Sequence, residues 1–144
     1  MIRKAETKDA AAVAELALLL WPEHSLDELT EEFEELISQD DAACFLTYAG
    51  DTAVGFAQCQ LRHDYVEGTD SSPVGYLEGI FVREEYRHRG IARGLLSACE
   101  AWARDQGCTE FASDCEIDNA ASLAFHLAKG FTEASRNIHF IKPL

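Results

Sequence analysis

Tyr76-Leu77-Glu78-Gly79-Ile80-Phe81-Val82 runs directly into Arg83-Glu84-Glu85-Tyr86-Arg87-His88-Arg89-Gly90-Ile91-Ala92-Arg93-Gly94 in this chain. The first stretch is apolar and aromatic with one acid inside it, which predicts a buried strand. The second holds four arginines around a Gly-x-Ala-x-Gly turn, and an amphipathic helical pattern follows over 95–107. This order presents free backbone N–H groups and a positive helix end to an anion. We expect a phosphate or pyrophosphate there; a solvated helix start with ordinary arginines is the alternative.

The basic turn fits one known phosphate-binding pattern and not two others. It contains neither Gly-x-x-x-x-Gly-Lys-Ser/Thr nor the dinucleotide pattern Gly-x-Gly-x-x-Gly. Arg87-His88-Arg89-Gly90-Ile91-Ala92 does fit Arg/Gln-x-x-Gly-x-Gly/Ala. In this the chain resembles the GCN5-related N-acetyltransferases (GNATs), whose loop of that form binds the pyrophosphate of acetyl-CoA.

Size and composition predict a single domain over residues 1–144 with a full core. No run of about 18 apolar residues occurs, so we expect no membrane span. The first six residues lack the apolar core of a signal peptide, and we expect a cytoplasmic protein. Five scattered cysteines without a Cys-x-x-Cys pair predict reduced thiols, four of them buried, and no metal site.

Charge is distributed unevenly along the chain. Lys and Arg number 12 against 26 Asp and Glu, a net charge of −14. No Lys or Arg lies between Asp9 and Leu61, acids crowd residues 23–41, and arginines cluster over residues 83–93. Such a chain repels nucleic acid, but it suits a small anion at the basic turn and a cationic partner at the acidic surface. A merely solvated acidic helix is the alternative.

The pattern of elements predicts an α/β (α+β) fold, a mixed central sheet flanked by helices. Strands are predicted at residues 1–5, 43–48, 53–61, 76–82 and 110–118, with a terminal hairpin at 131–133 and 137–141. Helices are predicted at 9–20 after a Thr7 cap, from a Ser25 cap to 38, at 95–107, and at 120–129 between an Asn119 cap and Gly130. A polar loop over 62–73 is long enough to be functional.

The element order resembles the GNAT fold, and Asn119 with Phe125-His126-Leu127-Ala128-Lys129-Gly130-Phe131 resembles that family's Asn…Leu-Tyr-x-x-x-Gly-Phe ending. More narrowly, several motifs resemble aminoglycoside 6′-N-acetyltransferases, which acetylate a primary amine of a polycationic sugar. These motifs are Leu20-Trp21-Pro22, Arg62-His63-Asp64-Tyr65-Val66, Asp70-Ser71-Ser72-Pro73, Leu77 to Val82, and Ala112-Ser113-Asp114.

The resemblance implies an acid-lined cleft that holds the ammonium groups of such a substrate. Strand alternation over 110–118 predicts that Asp114, Glu116 and Asp118 share one face. The expected substrate-binding residues are Trp21, His24, Tyr65, Glu67, Asp70, Glu78, Asp114, Glu116 and Asp118, with acids of the second helix. Core filling is the alternative for Trp21.

The reaction implied is direct acetyl transfer, in which a carboxylate accepts the proton of the attacking amine. Asp114 is the first candidate base, because the subfamily places an aspartate there. Glu78 is the second, because desolvation in a strand disfavours its charged form; a tie to the backbone or to a cation is the alternative. The backbone N–H of Ile80 is the expected oxyanion donor.

Many relatives donate a proton to the leaving thiolate from a tyrosine where this chain has His126. A histidine can serve because it titrates near neutral pH, but a core or capping histidine is equally compatible. Cys115 is predicted on the face opposite Asp114, which argues against an acetyl-cysteine intermediate.

For acetyl-CoA, the resemblance implies backbone contacts to the pyrophosphate at the turn and to the pantetheine arm along the central strand. The expected residues are Ile80, Phe81, Val82, Arg87, His88, Arg89, Gly90, Ile91, Ala92, Arg93 and Asn119. The subfamily commonly forms homodimers through C-terminal strands, so residues 137–141 are a candidate interface.

Two other functions are compatible with the sequence. A polyamine or protein N-terminal acetyltransferase would share the fold, although the Trp21 and 62–73 motifs argue against it. A non-catalytic acyl-CoA-binding module is the second alternative, and the acids beside the expected thioester position argue against that.

Overall fold

One mixed sheet carries all five strands, in chain order, in the computed structural model, which describes all 144 residues. The strands are β1 (Ile2–Lys4), β2 (Ala42–Ala49), β3 (Thr52–Arg62), β4 (Val74–Val82) and β5 (Phe111–Ser113). The first four are antiparallel neighbours, and β5 pairs in parallel with β4. The helices are α1 (Ala10–Leu20), α2 (Leu26–Ile37), α3 (Ile91–Asp105) and α4 (Ala120–Ala128). This arrangement confirms the predicted mixed sheet flanked by helices.

The sheet is covered on both faces, because alternate residues of its strands point to opposite sides. One cluster packs α1 and α2 against the sheet and includes Leu16, Phe33 and Phe56, all less than 4% exposed. The other packs α3 against the opposite face and includes Leu95 and Trp102. Four of the five cysteines are buried and all five are free thiols, as predicted. No helix is both long and apolar enough to cross a membrane.

A β-bulge interrupts the pairing of β3 with β4. Gln58 lies opposite Gly79, but the next residue, Cys59, lies opposite Leu77, so Glu78 is the extra residue of β4. Pairing of β4 with β5 also ends at Leu77, which lies opposite Ser113. A bulge bends its strand and increases the local twist. β4 and β5 therefore separate beyond Leu77, and residues 79–82 of β4 form an open strand edge on the side away from β3.

The bulge explains why the strand predicted over residues 110–118 is too long. Only Phe111–Ser113 forms a strand, because β4 turns away from β5 at that point. Asp114, Glu116 and Asp118 lie beyond β5 and are exposed, so strand alternation does not arrange them on one face.

The predicted terminal hairpin is also absent. Residues 131–144 contain no helix or strand, and Ile138, Phe140 and Ile141 are 81%, 91% and 96% exposed. A sequence of strand-forming residues becomes a strand only when a neighbouring edge supplies hydrogen-bond partners. No strand of this chain pairs with the segment.

The start of α1 differs from the prediction as well. Thr7 lies within a 3-10 turn, Thr7–Asp9, rather than capping the helix. Asp9 closes this turn by accepting a hydrogen bond from the Glu6 backbone N–H at 2.8 Å. It also binds Arg3 through both carboxylate oxygens, at 2.7 and 2.8 Å, which ties β1 to α1. The Arg3 hydrogen bonds lower the pKa of Asp9 from 3.8 to about 2 despite its burial.

We expect Asp9→Asn to lower the melting temperature by a few degrees near neutral pH, because the carboxylate is nearly buried and bound to Arg3. The folded-state pKa lies below the unfolded value of 3.8, so the stabilisation is complete above that pH and is lost as the pH falls through about 2. Thermal denaturation of both proteins from neutral to acid pH measures this difference.

Glu15→Gln on α1 is the control, since that exposed carboxylate has no hydrogen bond or ion pair to lose. If the difference in melting temperature between wild type and Asp9→Asn does not change with pH, the stabilising role of the Asp9 carboxylate is contradicted.

Candidate active site

The open strand edge presents unpaired backbone groups to a cleft. The Arg83 N–H donates to the Val54 carbonyl of β3 at 2.8 Å, and these residues face each other across the ladder. In an antiparallel ladder the N–H direction alternates from residue to residue. The N–H of Phe81 therefore points to β3, and those of Ile80 and Val82 point to the cleft. The Val82 carbonyl points the same way and accepts a bond from Arg87 Nε at 2.8 Å.

The glycine turn forms a cradle at one end of this edge. His88 and Gly90 have positive φ angles of 64° and 80°, and α3 begins at Ile91. Left-handed residues in a turn direct successive backbone N–H groups to one side, and the start of α3 adds its dipole. His88 is the one non-glycine residue with positive φ, a strain that recurs at ligand sites.

A cavity of about 200 Å³ lies over the cradle. It is lined by Val82, Tyr86, Arg87, His88, Gly90, Ile91, Ala92, Arg93, Phe125 and Lys129. Seven of these were expected from the sequence. Tyr86, Phe125 and Lys129 were not expected as lining. Tyr86 lies within the basic turn, and the only signal for the other two was their position after Asn119.

Four expected residues do not line this cavity, namely Ile80, Phe81, Arg89 and Asn119. Arg89 donates to the Glu85 carbonyl at 3.1 Å and lies over the Tyr86 ring. The Phe81 side chain packs against the α1 and α2 core. Asn119 caps α4 by accepting a bond from the Ser122 N–H at 3.0 Å, which leaves its amide NH₂ group as a donor.

A group of four charged and aromatic side chains lies at the other end of the edge. Arg62 binds Glu78 through two hydrogen bonds, at 2.9 and 3.1 Å, and its guanidinium lies 3.5 Å from the Tyr76 ring centroid. The Tyr76 hydroxyl donates a short hydrogen bond to Asp114 Oδ2. Glu78 is thus tied to a cation, which was the alternative interpretation of that acid. Neither Arg62 nor Tyr76 was expected as a partner of these carboxylates.

Two pKa shifts accompany this group. Arg62 donates hydrogen bonds to Glu78, and these raise the pKa of Arg62, which stays a cation. Burial, together with the hydrogen bond to Asp114, raises the pKa of Tyr76, which stays a phenol that donates. The four side chains therefore carry one positive and two negative charges, and the acid nearest solvent is Asp114.

Trp21 packs on the face of β4 that is covered by α1 and α2. A Cβ atom at Gly79 would lie 2.7 Å from Trp21 Cη2, so the indole rests directly on the β4 backbone beside Glu78. Its ring also packs edge-to-face on Phe56, with centroids 6.3 Å apart. Core packing and proximity to the cleft are both true of this residue. His24 follows it, with ring nitrogens 3.7 and 3.9 Å from the carboxylates of Glu23 and Glu28.

The loop over residues 62–73 is anchored near its C-terminal end by Glu110, and its middle is exposed to solvent. Glu110 Oε1 accepts from the Asp70 N–H at 2.9 Å and from the Ser71 hydroxyl. Val66 is buried, whereas Tyr65 is 75% exposed. Glu67 and the Asp70 side chain are also exposed. The loop is therefore anchored and presents one free aromatic ring and three free carboxylates, those of Asp64, Glu67 and Asp70.

His126 joins α4 to the end of β5. Its Nε2 lies 2.8 Å from Ser113 Oγ, and its Nδ1 lies 2.7 Å from the Ser122 carbonyl. The ring packs against Phe125 and Phe131. Between Ser113 and α4 the chain exposes Asp114, Cys115, Glu116 and Asp118.

The acids of α2 form a separate surface. Glu28, Glu31, Glu32 and Glu35 line a depression with no other residue type. All four are exposed, and none of their carboxylates accepts a bond beyond the His24 contact. This geometry is that of a solvated helix face.

Comparisons with known proteins agree with this geometry. Residues 10–131 match the family model described as the acetyltransferase (GNAT) family. The chain is 46% identical to the aminoglycoside N(6′)-acetyltransferase type 1 of Stenotrophomonas maltophilia, over 99% of this chain and 93% of that protein. The protein of that name from Acinetobacter baumannii is also 46% identical, over 90% of this chain and 88% of its own.

Solved structures are similar over the whole chain. The aminoglycoside N-acetyltransferase AAC(6′)-Iy in complex with CoA is 40% identical, with a TM-score of 0.95 over 100% of this chain and 95% of that one. The same enzyme in complex with the bisubstrate analogue CoA-S-monomethyl-acetylneamine is 40% identical, with a TM-score of 0.94 over 100% and 98%.

We expect Glu110→Ala to release the 62–73 loop, because it removes the acceptor of both the Asp70 N–H and the Ser71 hydroxyl. Amide hydrogen exchange of peptides spanning residues 63–73 measures this as faster exchange at Asp70. These bonds lower the pKa of Glu110 below 4.5, so the anchor is fully present above that pH and is lost as the pH falls further.

Glu32→Ala on α2 is the control, since that exposed carboxylate has no hydrogen-bond partner. Unchanged exchange in Glu110→Ala would show that Glu110 does not hold the loop.

Proposed function

Since this chain belongs to the acetyltransferase (GNAT) family, we propose that it transfers the acetyl group of acetyl-CoA to the 6′-amine of an aminoglycoside. One observation carries this proposal: the open edge of β4 leads from the anion cradle to the carboxylate Asp114. From Val82 in the cradle cavity to Tyr76, the partner of Asp114, is six residues of strand, or about 20 Å. The open strand edge thus joins two regions of opposite charge.

At the cradle, the chain supplies donors and positive charge for a pyrophosphate. Backbone N–H groups between His88 and Ala92 point to one side, and Arg87, Arg93 and Lys129 surround them. Along the edge, Ile80 and Val82 are proposed to pair with the amide groups of the pantetheine arm as a neighbouring strand would. Asn119 is proposed to donate to that arm from its free NH₂ group. Bound acetyl-CoA supplies the activated acetyl group.

At the other end, exposed acids are proposed to bind the ammonium groups of the aminoglycoside. They come from the 62–73 loop and the segment after β5, namely Glu67, Asp70, Asp114, Glu116 and Asp118. The exposed ring of Tyr65 is proposed to pack on a sugar, with Trp21 behind the strand. The net charge of −14 draws a polycation toward this surface.

Asp114 is the proposed general base. Both oxygens of Glu78 are already bonded to Arg62, whereas Asp114 uses one oxygen for Tyr76 and keeps the other free. The free oxygen accepts the amine proton, directly or through water, and the neutral amine attacks the acetyl carbonyl. The Ile80 N–H donates to the oxygen on which negative charge develops.

His126 is the proposed proton donor to the departing thiolate. Its Nε2 contacts the Ser113 hydroxyl at 2.8 Å, and that hydroxyl is the route by which a proton would leave the ring. Cys115 is exposed and free, and no covalent enzyme intermediate is needed for the direct attack.

A thiol-release assay with acetyl-CoA and a panel of amines tests the function. We expect turnover with kanamycin and tobramycin, and little with spermidine or a peptide N-terminus. If spermidine or the peptide is acetylated and neither antibiotic is, the substrate belongs to another class of amine. Binding of CoA without thiol release for any amine would instead indicate an acyl-CoA-binding module.

We expect Asp114→Asn to lower kcat for the aminoglycoside by about 100-fold or more, because general-base catalysis contributes roughly 10²–10⁴-fold. Affinity for CoA, measured by calorimetry, should stay near that of wild type, since the cradle lies at the far end of the cleft. Asp105→Asn at the end of α3 is the control for removing a surface acid. Wild-type turnover in Asp114→Asn would exclude Asp114 as the base.

The exposed C-terminal segment supports a proposal about assembly. Ile138, Phe140 and Ile141 are exposed apolar residues on a segment without a strand partner. We infer that residues 137–141 pair with a second copy of the chain to form a homodimer. Sedimentation of the full chain at twice the mass of one chain supports this, and a single-chain mass contradicts it.

The free thiols of all five cysteines favour the reducing cytoplasm as the compartment.

A further inference from the structure

Tyr76 is the one buried hydroxyl that reaches the carboxylates of the cleft. The residue is 6% exposed, and its OH donates to Asp114 Oδ2. Asp114 is exposed and follows the last residue of β5, so the strand ladder does not fix its side chain. Tyr76, by contrast, lies in β4 and pairs in register with Ala112 of β5. A rigid strand residue therefore holds the carboxylate of a segment without secondary structure.

Arg62 fixes the Tyr76 ring from above. Its guanidinium lies 3.5 Å from the ring centroid, and the two hydrogen bonds to Glu78 hold the guanidinium in place. A cation over a phenol withdraws electron density from the ring and strengthens the hydroxyl as a donor. Because the phenol remains protonated, its single O–H is donated to Oδ2 of Asp114, and Oδ1 of Asp114 is left for the amine.

We propose that Tyr76 is a positioning residue that directs the carboxylate of Asp114 toward the incoming amine, and that the Arg62–Glu78 pair holds Tyr76 in the required position. The inference rests on the proposed function, because it concerns the base of that reaction. It assigns the partly exposed Arg62–Glu78 pair a role that does not require Glu78 to accept a proton.

Tyr76→Phe tests the proposal, because it removes one oxygen and keeps the ring beneath Arg62. We expect kcat to fall about tenfold, which corresponds to loss of one hydrogen bond to a charged group. The KM for acetyl-CoA should not change. Tyr48→Phe is the matched control: Tyr48 also lies beneath an arginine, Arg3, at 5.7 Å, but on β2 and outside the cleft. It should leave kcat unchanged.

A double-mutant cycle distinguishes positioning from a structural effect. If Tyr76 acts through Asp114, adding Tyr76→Phe to Asp114→Asn should lower kcat no further. A further tenfold loss in that background would show that Tyr76 acts independently and would overturn the proposal. So would a wild-type kcat in Tyr76→Phe alone. Thiol release by the wild type in the same assay tests the function separately; its absence would overturn both.

Discussion

The extra residue in β4 is the constraint on which the site depends. Without a bulge at Glu78, β5 would continue along β4, and the N–H groups of Ile80 and Val82 would be consumed by the ladder. The bulge ends that pairing after three residues and converts the rest of the strand into a row of free donors. Glu78 is the bulged residue, and both of its carboxylate oxygens accept hydrogen bonds from Arg62. The bulge thus opens the strand edge and also places the Arg62–Glu78 pair beside it.

Different kinds of groups supply the positive and the negative charge at the two ends of the strand edge. At the cradle, positive potential comes from backbone dipoles and from arginines near the chain surface, so little desolvation is required. At the opposite end, Glu78 is only 18% exposed, and an isolated carboxylate there would be costly to desolvate. Arg62 offsets that cost with two hydrogen bonds. Asp114 remains outside this pair and keeps one oxygen without a hydrogen bond.

Local features of the site could be predicted from the sequence, and long-range ones could not. The turn around Gly90 needs only glycine, arginine and a following helix, all of which are adjacent in the chain. The bond from Tyr76 to Asp114 joins residues 38 positions apart, and no pattern in either segment indicates it. Lys129 reaches the cradle because α4 returns to the same end of the sheet. The terminal hairpin was predicted wrongly because a strand pattern carries no information about whether an edge is available.

The contact between Trp21 and Gly79 restricts how such a protein can diversify. Any side chain at Gly79 would displace the indole, so this part of the strand is closed to substitution. Tyr65, Glu67 and Asp70, in contrast, lie exposed on a loop whose base is held by Glu110. Their replacement leaves the core intact. Sequence change at this end of the molecule is therefore tolerated in the loop, while the strand beneath the indole stays constant.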